Sequence, residues 1–182
     1  MPSGPSSTVE YRIGAPEDVL SVSVAATHVF LDTYATEGLR PVLAREASSV
    51  YSAEAFLSRL HDSATTFILA ESSDHLLGFA EFTRGRPCPC AAAEFGIELV
   101  RLYVLPIAQG KGLGRSLLHR AESFLAAESA SGLWLAAWSG NHRALSFYPA
   151  VGYEPVGLTN YIIEGQAYEN QVFAKALQRN AA

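Results

Sequence analysis

A glycine-rich turn, Gln109-Gly110-Lys111-Gly112-Leu113-Gly114-Arg115, separates an apolar run, Ile97 to Leu105, from an amphipathic stretch, Ser116 to Ser129. A strand that enters a helix through such a turn leaves the first helical N–H groups without partners inside the helix. Those donors and the positive end of the helix dipole suit phosphate oxygens. Glycine lets backbone approach the oxygens closely. Lys111 or Arg115 adds positive charge, and Ser116 continues the cradle. The turn therefore points to a phosphate-bearing ligand. The plainer alternative is a tight turn with no ligand.

Two common phosphate motifs do not fit. A Walker A loop needs a lysine followed by serine or threonine, and the chain has no such pair. A dinucleotide fingerprint reads G-x-G-x-x-G, whereas Gly110, Gly112 and Gly114 read G-x-G-x-G. The acidic residue expected at the end of the next strand is missing too, because Leu133 to Trp138 runs into Ser139-Gly140. Other chemistries lack an anchor. No G-x-S-x-G elbow is present. The five histidines are scattered, and His119 with Glu122 has no further ligand partners. Cys88-Pro89-Cys90 is too sparse for a four-ligand zinc site.

The elements that must hold the turn follow from periodicity and punctuation. Val9 to Ile13 is a short strand. Pro16 begins a helix that runs to Tyr34. A second helical region, Leu43 to Leu60, reads as two pieces. Strands Thr65 to Glu71 and Leu76 to Arg84 flank a turn at Ser72-Ser73-Asp74-His75. A long strand, Phe95 to Leu105, stops at Pro106. The helix after the glycine turn places Leu117, Leu118, Ala121, Phe124 and Leu125 on one face. Gly132 to Trp138 is a buried strand. Asn141 caps a short helix that runs to Val151, with Gly152 at its C-terminal end. Tyr153 to Gly157, Asn160 to Ile163 and Asn170 to Ala176 are the last strand pieces. The order is β-α-α-β-β-β-α-β-α-β-β, an α/β fold with a mixed sheet, in one domain from 9 to 178 between short tails, 1–8 and 179–182.

Bulk properties set limits. The chain has 182 residues, 49% of them hydrophobic, enough for a substantial core. Its formal charge is −5, and only Lys111 and Lys175 are lysines. That disfavours nucleic acid as a partner, which needs clustered positive charge. No run reaches the roughly 20 apolar residues of a membrane span, and no targeting segment is read. The expected location is cytoplasmic, where the two cysteines stay reduced.

Two blocks together resemble a known family. Gln109-x-x-Gly112-x-Gly114 is similar to the Q/R-x-x-G-x-G/A motif of the GNAT superfamily of acetyl-CoA-dependent N-acetyltransferases. Leu102-Tyr103-Val104-Leu105-Pro106 resembles that family's fourth strand and its exit. Downstream, Asn141-His142-Arg143-Ala144-Leu145-Ser146-Phe147-Tyr148 with Val151-Gly152-Tyr153 resembles the family's N-x-x-A-x-x-F-Y-x-x-x-G-F/Y block. The likeness runs from about Val9 to Leu177. Phe30 to Ala35, Glu98 to Val104 and Leu133 to Trp138 further resemble bacterial polyamine (spermidine/spermine) N-acetyltransferases.

The resemblance implies a GNAT-like fold, a mostly antiparallel mixed sheet flanked by helices, with acetyl-CoA as the acyl donor. Its diphosphate would lie on Gln109, Gly110, Lys111, Gly112, Leu113, Gly114, Arg115 and Ser116. Its pantetheine arm would pair with the edge of the strand at Leu102, Tyr103 and Val104, as an added strand does. Asn141 would hydrogen-bond that arm, cap its helix, or both. Tyr148 is the expected acid for the leaving thiolate, because a phenol of pKa about 10 matches a thiol. An amine of pKa about 10 must lose a proton before it attacks. Glu98, Glu94 or a water chain takes that role, and the face Glu98 presents depends on a register the sequence leaves open. Asp32, Tyr34, Trp138 and Tyr161 would line the acceptor pocket, where aromatics and a carboxylate suit a cationic amine.

The expected reaction is direct acetyl transfer to the primary amine of a small molecule, polyamine-like in the finest reading. No nucleophile stands out for a covalent enzyme intermediate. Acetylation of a protein N-terminus or an aminoglycoside is the enzymatic rival. A non-catalytic CoA-binding module is the rival of another class, as is dinucleotide binding. No metal is expected. A homodimer is neither required nor ruled out.

Overall fold

The central strands are apolar on both faces, so they must be covered on both. In the computed structural model, which describes residues 8–90, 93 and 95–178, helices and one loop provide that cover. Short strand β1 (Glu10–Ile13) leads into α1 (Val19–Tyr34) through a single 3-10 turn at Pro16–Asp18. The second helical region resolves into α2 (Pro41–Ser49) and α3 (Ala53–His61), divided at Ser52, whose hydroxyl caps α3 by accepting the Ala55 N–H. Strands β2 (Thr65–Ser72), β3 (His75–Arg84) and β4 (Ile97–Val104) follow. Then come α4 (Leu113–Ala127), β5 (Gly132–Trp138), α5 (His142–Ala150), β6 (Glu154–Ile163) and β7 (Gln166–Ala176).

The seven strands form one sheet in the order β1-β2-β3-β4-β5-β7-β6. All neighbours are antiparallel except β4 and β5. The turn between β2 and β3 has Ser73 and Asp74 at φ 48° and 63°, the left-handed pair that a two-residue hairpin needs. A second hairpin of this kind, with Glu164 and Gly165 at φ 49° and 81°, joins β6 to β7. The sequence reading divides this region into three pieces. They are two long strands, because the pattern along β6 is mostly exposed and carries little apolar signal.

Alternate side chains go to opposite faces. Ile68, Ala70, Ala80, Phe82, Leu99, Leu133 and Leu135 meet Leu113, Leu117, Leu118, Ala121 and Leu125 of α4. Phe67, Leu69 and Phe79 meet Val22, Ala26 and Phe30 of α1 and Phe56 of α3 on the other face. On that second face the β5–β7 half is covered by the loop carrying Cys88 and Cys90, against Trp134, Val172 and Ala174. Trp134 is fixed by its indole N–H, which donates to the Arg86 carbonyl at 2.8 Å.

Two features of β4 position the site. First, β4 and β5 are paired only at Glu98–Trp134, so the two strands part toward Val104 and leave a cleft. Second, β4 carries an extra residue. Glu81 pairs with Arg101 while Phe82 pairs with Leu99, which leaves Val100 as a bulge. The bulge reverses the alternation. Leu99 faces the α4 side, whereas Arg101 and Tyr103 face α1–α3.

Candidate active site

The glycine turn is built as a cradle. Gly110 and Gly112 sit at φ 73° and 79°, a region that side chains with a Cβ enter only with strain. A Cβ placed on either would meet no heavy atom within 4 Å among the described residues. None of the backbone N–H groups from Gly110 to Arg115 has a hydrogen-bond acceptor among the described residues. The next one does: the Ser116 N–H donates to the Gly112 carbonyl at 3.1 Å. Lys111 is exposed on the turn. Free donors, a helix N-terminus and a backbone without side chains in the way fit a diphosphate.

Beside the cradle lies a cavity of about 410 Å³ where β4 and β5 part. Leu102, Tyr103 and Val104 form one wall, and Gln109, Gly110, Gly112, Leu113, Gly114 and Arg115 form its end. Asn141, Arg143, Ala144, Phe147 and Tyr148 come from α5, and Val29, Asp32 and Thr33 from α1. Asn141 caps α5 by accepting the Ala144 N–H at 3.0 Å. Val29, Asp32 and Thr33 share one stripe of α1 at i, i+3 and i+4. That spacing could have been found by eye; the sequence reading singled out only Asp32.

Tyr148 is 9% exposed and packs its ring against Phe147, Tyr153 and Phe173 at 5.3 to 5.7 Å. Its hydroxyl has no hydrogen-bond partner among the described residues. Burial raises its pKa, and nearby Tyr34 adds to the effect. The phenol therefore stays protonated at neutral pH, the form that can give a proton. Tyr34, pushed up to about 12 mainly by burial, tilts against Trp138 with ring centroids 5.3 Å apart. Neither lines the cavity itself.

On the α1–α3 face, beneath Tyr103, lies a buried charge cluster. Glu81 is fully buried and accepts from Arg101 at 2.6 Å, with Arg59 Nε 3.4 Å away. Arg101 lies over the Tyr51 ring at 5.2 Å, and the Tyr51 and Tyr103 hydroxyls are 3.0 Å apart. Sequence reading did not find this cluster, since its members come from α3, β3, β4 and the α2–α3 connection. Glu98 shares this face of β4 with Arg101. Burial raises its pKa, Arg86 and Arg101 oppose the rise, and Glu81 adds to it. It does not line the cavity. It lies four positions before Leu102, roughly 13 Å along a strand. Its rival Glu94 lies outside the described residues.

Tyr161 stands on the β6–β7 hairpin. Its hydroxyl donates to Glu46 Oε1 of α2 at 2.8 Å, and Arg45 pairs with Glu164 at the same contact. Burial and this bond push Tyr161 up to about 12. The hairpin and α2 thus clasp one another. Among the described residues, no group of three or more His, Cys, Asp or Glu could hold a metal ion, and no helix is long and apolar enough to cross a membrane.

The divergent strands, the glycine cradle and the capped α5 thus meet around one cavity. A model of the Acetyltransferase (GNAT) family matches residues 31–153, more than half of the chain. The chain belongs to that family, and the class it defines is the acetyl-CoA-dependent N-acetyltransferases. Among individual proteins, an uncharacterized N-acetyltransferase of Mycobacterium bovis is 28% identical over 119 residues, 65% of this chain and 71% of that protein. An uncharacterized Mycobacterium leprae protein is 29% identical over 113 residues, 62% of this chain, and the match spans 30% of that protein's length. The crystal structure of PaiA N-acetyltransferase from Thermoplasma acidophilum, in complex with coenzyme A, has the same fold. It superposes with a TM-score of 0.73 at 23% identity, over 93% of this chain and 99% of that one.

Proposed function

We propose that the chain moves the acetyl group of acetyl-CoA directly to a primary amine of a small acceptor that carries further positive charge, as a polyamine does. The observation that carries this reading is the placement of Tyr148. A buried phenol with no protein partner opens onto the cavity between the cradle and the free edge of β4.

When bound, acetyl-CoA supplies an activated acyl thioester. The residues around it divide the work. The free N–H groups from Gly110 to Arg115 hold the diphosphate. The β5-facing edge of β4 at Leu102, Tyr103 and Val104 offers backbone donors and acceptors to the pantetheine arm. One of those N–H groups would polarise the acyl carbonyl. Tyr148 holds a proton on its hydroxyl and gives it to the sulfur as charge builds there. The acceptor ammonium must lose its proton to water, with Glu98 as the carboxylate that receives it through a water chain.

The choice of acceptor rests on charge and enclosure. Arg115 and Arg143 lie at the cradle end, whereas Asp32 is an exposed carboxylate on the α1 wall without an ion-pair partner. A cation is attracted to the Asp32 end and repelled from the other. Tyr34 and Trp138 offer ring faces beside it. Enclosure comes from the cavity itself, about 410 Å³ between β4, α1 and α5, which favours a slender acceptor over a folded protein's N-terminus.

The test is release of free thiol from acetyl-CoA against polyamines, arylalkylamines, aminoglycosides and short peptides. Turnover with polyamines well above the rest is the expected result. A preference for peptides or aminoglycosides would reassign the acceptor. Tight binding of CoA with no turnover on any amine would leave a binding module.

A further inference from the structure

The helix that carries Tyr148 is weakest at the end nearest that residue. Nine residues make α5, and Pro149 stands inside it. Proline has no N–H, so the Leu145 carbonyl receives no helical bond from the position next to the phenol. The Asn141 cap fixes the opposite end of the helix. A proton donor must nevertheless hold its hydroxyl at one place to serve the reacting atom.

A brace from the sheet meets the weak end. Lys175 of β7 donates from Nζ to the Val151 carbonyl at 3.0 Å, just where α5 stops. The same ammonium donates to both carboxylate oxygens of Glu122 on α4, at 2.8 and 2.9 Å. Its three N–H donors are thereby all used. It also lies over the Tyr153 ring, 5.3 Å from the centroid. That ring packs edge-on against Tyr148 with centroids 5.6 Å apart, and the Tyr153 N–H donates to the Tyr148 carbonyl at 3.0 Å. One ammonium thus joins β7, α4 and the end of α5, and its contacts through Val151 and through Tyr153 both lead to Tyr148.

The surroundings are not those of a surface ion pair. The Lys175 and Glu122 side chains are only 25% and 12% exposed. Charges so far withdrawn from water are costly unless each is well hydrogen-bonded, and a neutral pair of similar volume fills such a place as well. What the ammonium adds is direction. Lys175 does not line the cavity, so it acts on the reaction only through what it holds.

We propose that Lys175, aimed by Glu122, is a positioning residue for Tyr148, tying the end of α5 to β7 and α4 so that the phenol keeps its place over the cavity. The proposal rests on the acid role given to Tyr148 above.

The experiment is a double-mutant cycle on the full chain. Lys175→Met, which keeps an unbranched side chain and loses the ammonium, is combined with Tyr148→Phe. Each variant is assayed for thiol release with whichever amine of the panel above wild type turns over fastest, and is titrated with CoA. Lys175→Met is expected to lower kcat about tenfold or more, within the range that a displacement on the order of 1 Å can remove. The Kd for CoA should stay within about twofold. With Tyr148→Phe already present, Lys175→Met should lower kcat less than twofold further, since the group it positions is gone. Lys175→Met alone leaves Glu122 buried without its partner, so the cycle is repeated with Lys175→Met and Glu122→Gln together, which removes both charges. Any general loss of stability, read as the urea midpoint, cancels in the cycle, which compares the same pair with and without Tyr148→Phe. Wild-type kcat in the neutral pair would overturn the proposal. So would an equal loss with and without Tyr148→Phe, which would make the brace a matter of general packing. Full kcat in Tyr148→Phe alone, or no wild-type turnover on any amine, would instead remove the functional reading on which the proposal stands.

Discussion

From Leu102 to Arg115 the wall of the cleft is backbone: a strand edge without a strand partner, then a turn whose N–H groups have no acceptor. Across the cleft, on α1, the wall is made of the side chains of Val29, Asp32 and Thr33. Past it, side chains meet from far apart in sequence; Tyr161 of the β6–β7 hairpin and Glu46 of α2 are 115 residues distant. On the proposed reading the backbone wall is the donor half, and it needs few particular side chains, because its ligand would be gripped by groups every residue owns. The acceptor half depends on which side chains meet, and single substitutions can redirect it. One fold can thus keep one donor and change its acceptor.

The largest effect is expected where the halves join. Tyr148→Phe keeps the ring packing against Phe147, Tyr153 and Phe173 and removes only the hydroxyl. If the phenol is the acid, kcat falls by about 10²- to 10³-fold, within the usual range for general acid catalysis. The Kd for CoA should stay within about twofold, because the grip lies elsewhere. Stopped-flow thiol release and calorimetry on the same sample check both. Undiminished kcat would take Tyr148 out of the reaction and leave the join without an acid.

A smaller effect belongs to the acceptor wall. Asp32→Asn removes an exposed charge, and exposed ion pairs contribute little, on the order of 0.2–1 kcal/mol. The KM for a polyamine should therefore rise about three- to fivefold, with KM for a singly charged amine and Kd for CoA unchanged. An equal rise for both amines would mean that Asp32 shapes the wall without reading charge, and the contrast between the halves would weaken.

The same contrast governs what the sequence disclosed. The donor half is contiguous, so the spacing of Gln109, Gly112 and Gly114 and the strand and helix on either side were readable together. Asn141 and Tyr148 were readable for the same reason, as parts of one short helix. On the other half, Glu98 defeated the reading for a local physical cause. The bulge at Val100 shifts the alternation of β4, so a count by twos from Leu99 places Arg101 and Tyr103 on the wrong face. The Arg59–Glu81–Arg101 cluster sits behind that bulge and was hidden with it. The β6–β7 hairpin was broken into pieces because its face is exposed and apolar periodicity is the signal that strands are read by.

The smallest expected effect concerns Glu98. Four residues from Leu102, it can act on the acceptor only through water, so Glu98→Gln should lower kcat/KM less than tenfold, below the range of a directly placed base. Its signature is the pH profile. A base works deprotonated, and burial raises this carboxyl above its ordinary value. Wild-type kcat/KM should fall as pH drops through that raised pKa, and the acid limb should vanish in Glu98→Gln. Stability gives a second reading of opposite sign. A carboxyl that binds its proton more tightly when folded contributes stability below its unfolded pKa, and that contribution is lost as pH rises through the folded pKa. Glu98→Gln should therefore gain on wild type in urea midpoint as pH rises from the ordinary carboxyl range through the raised folded pKa. Identical acid limbs together with that gain would make Glu98 a buried structural carboxylate. Deprotonation would then fall to water alone, and the acceptor half would hold no catalytic side chain of its own.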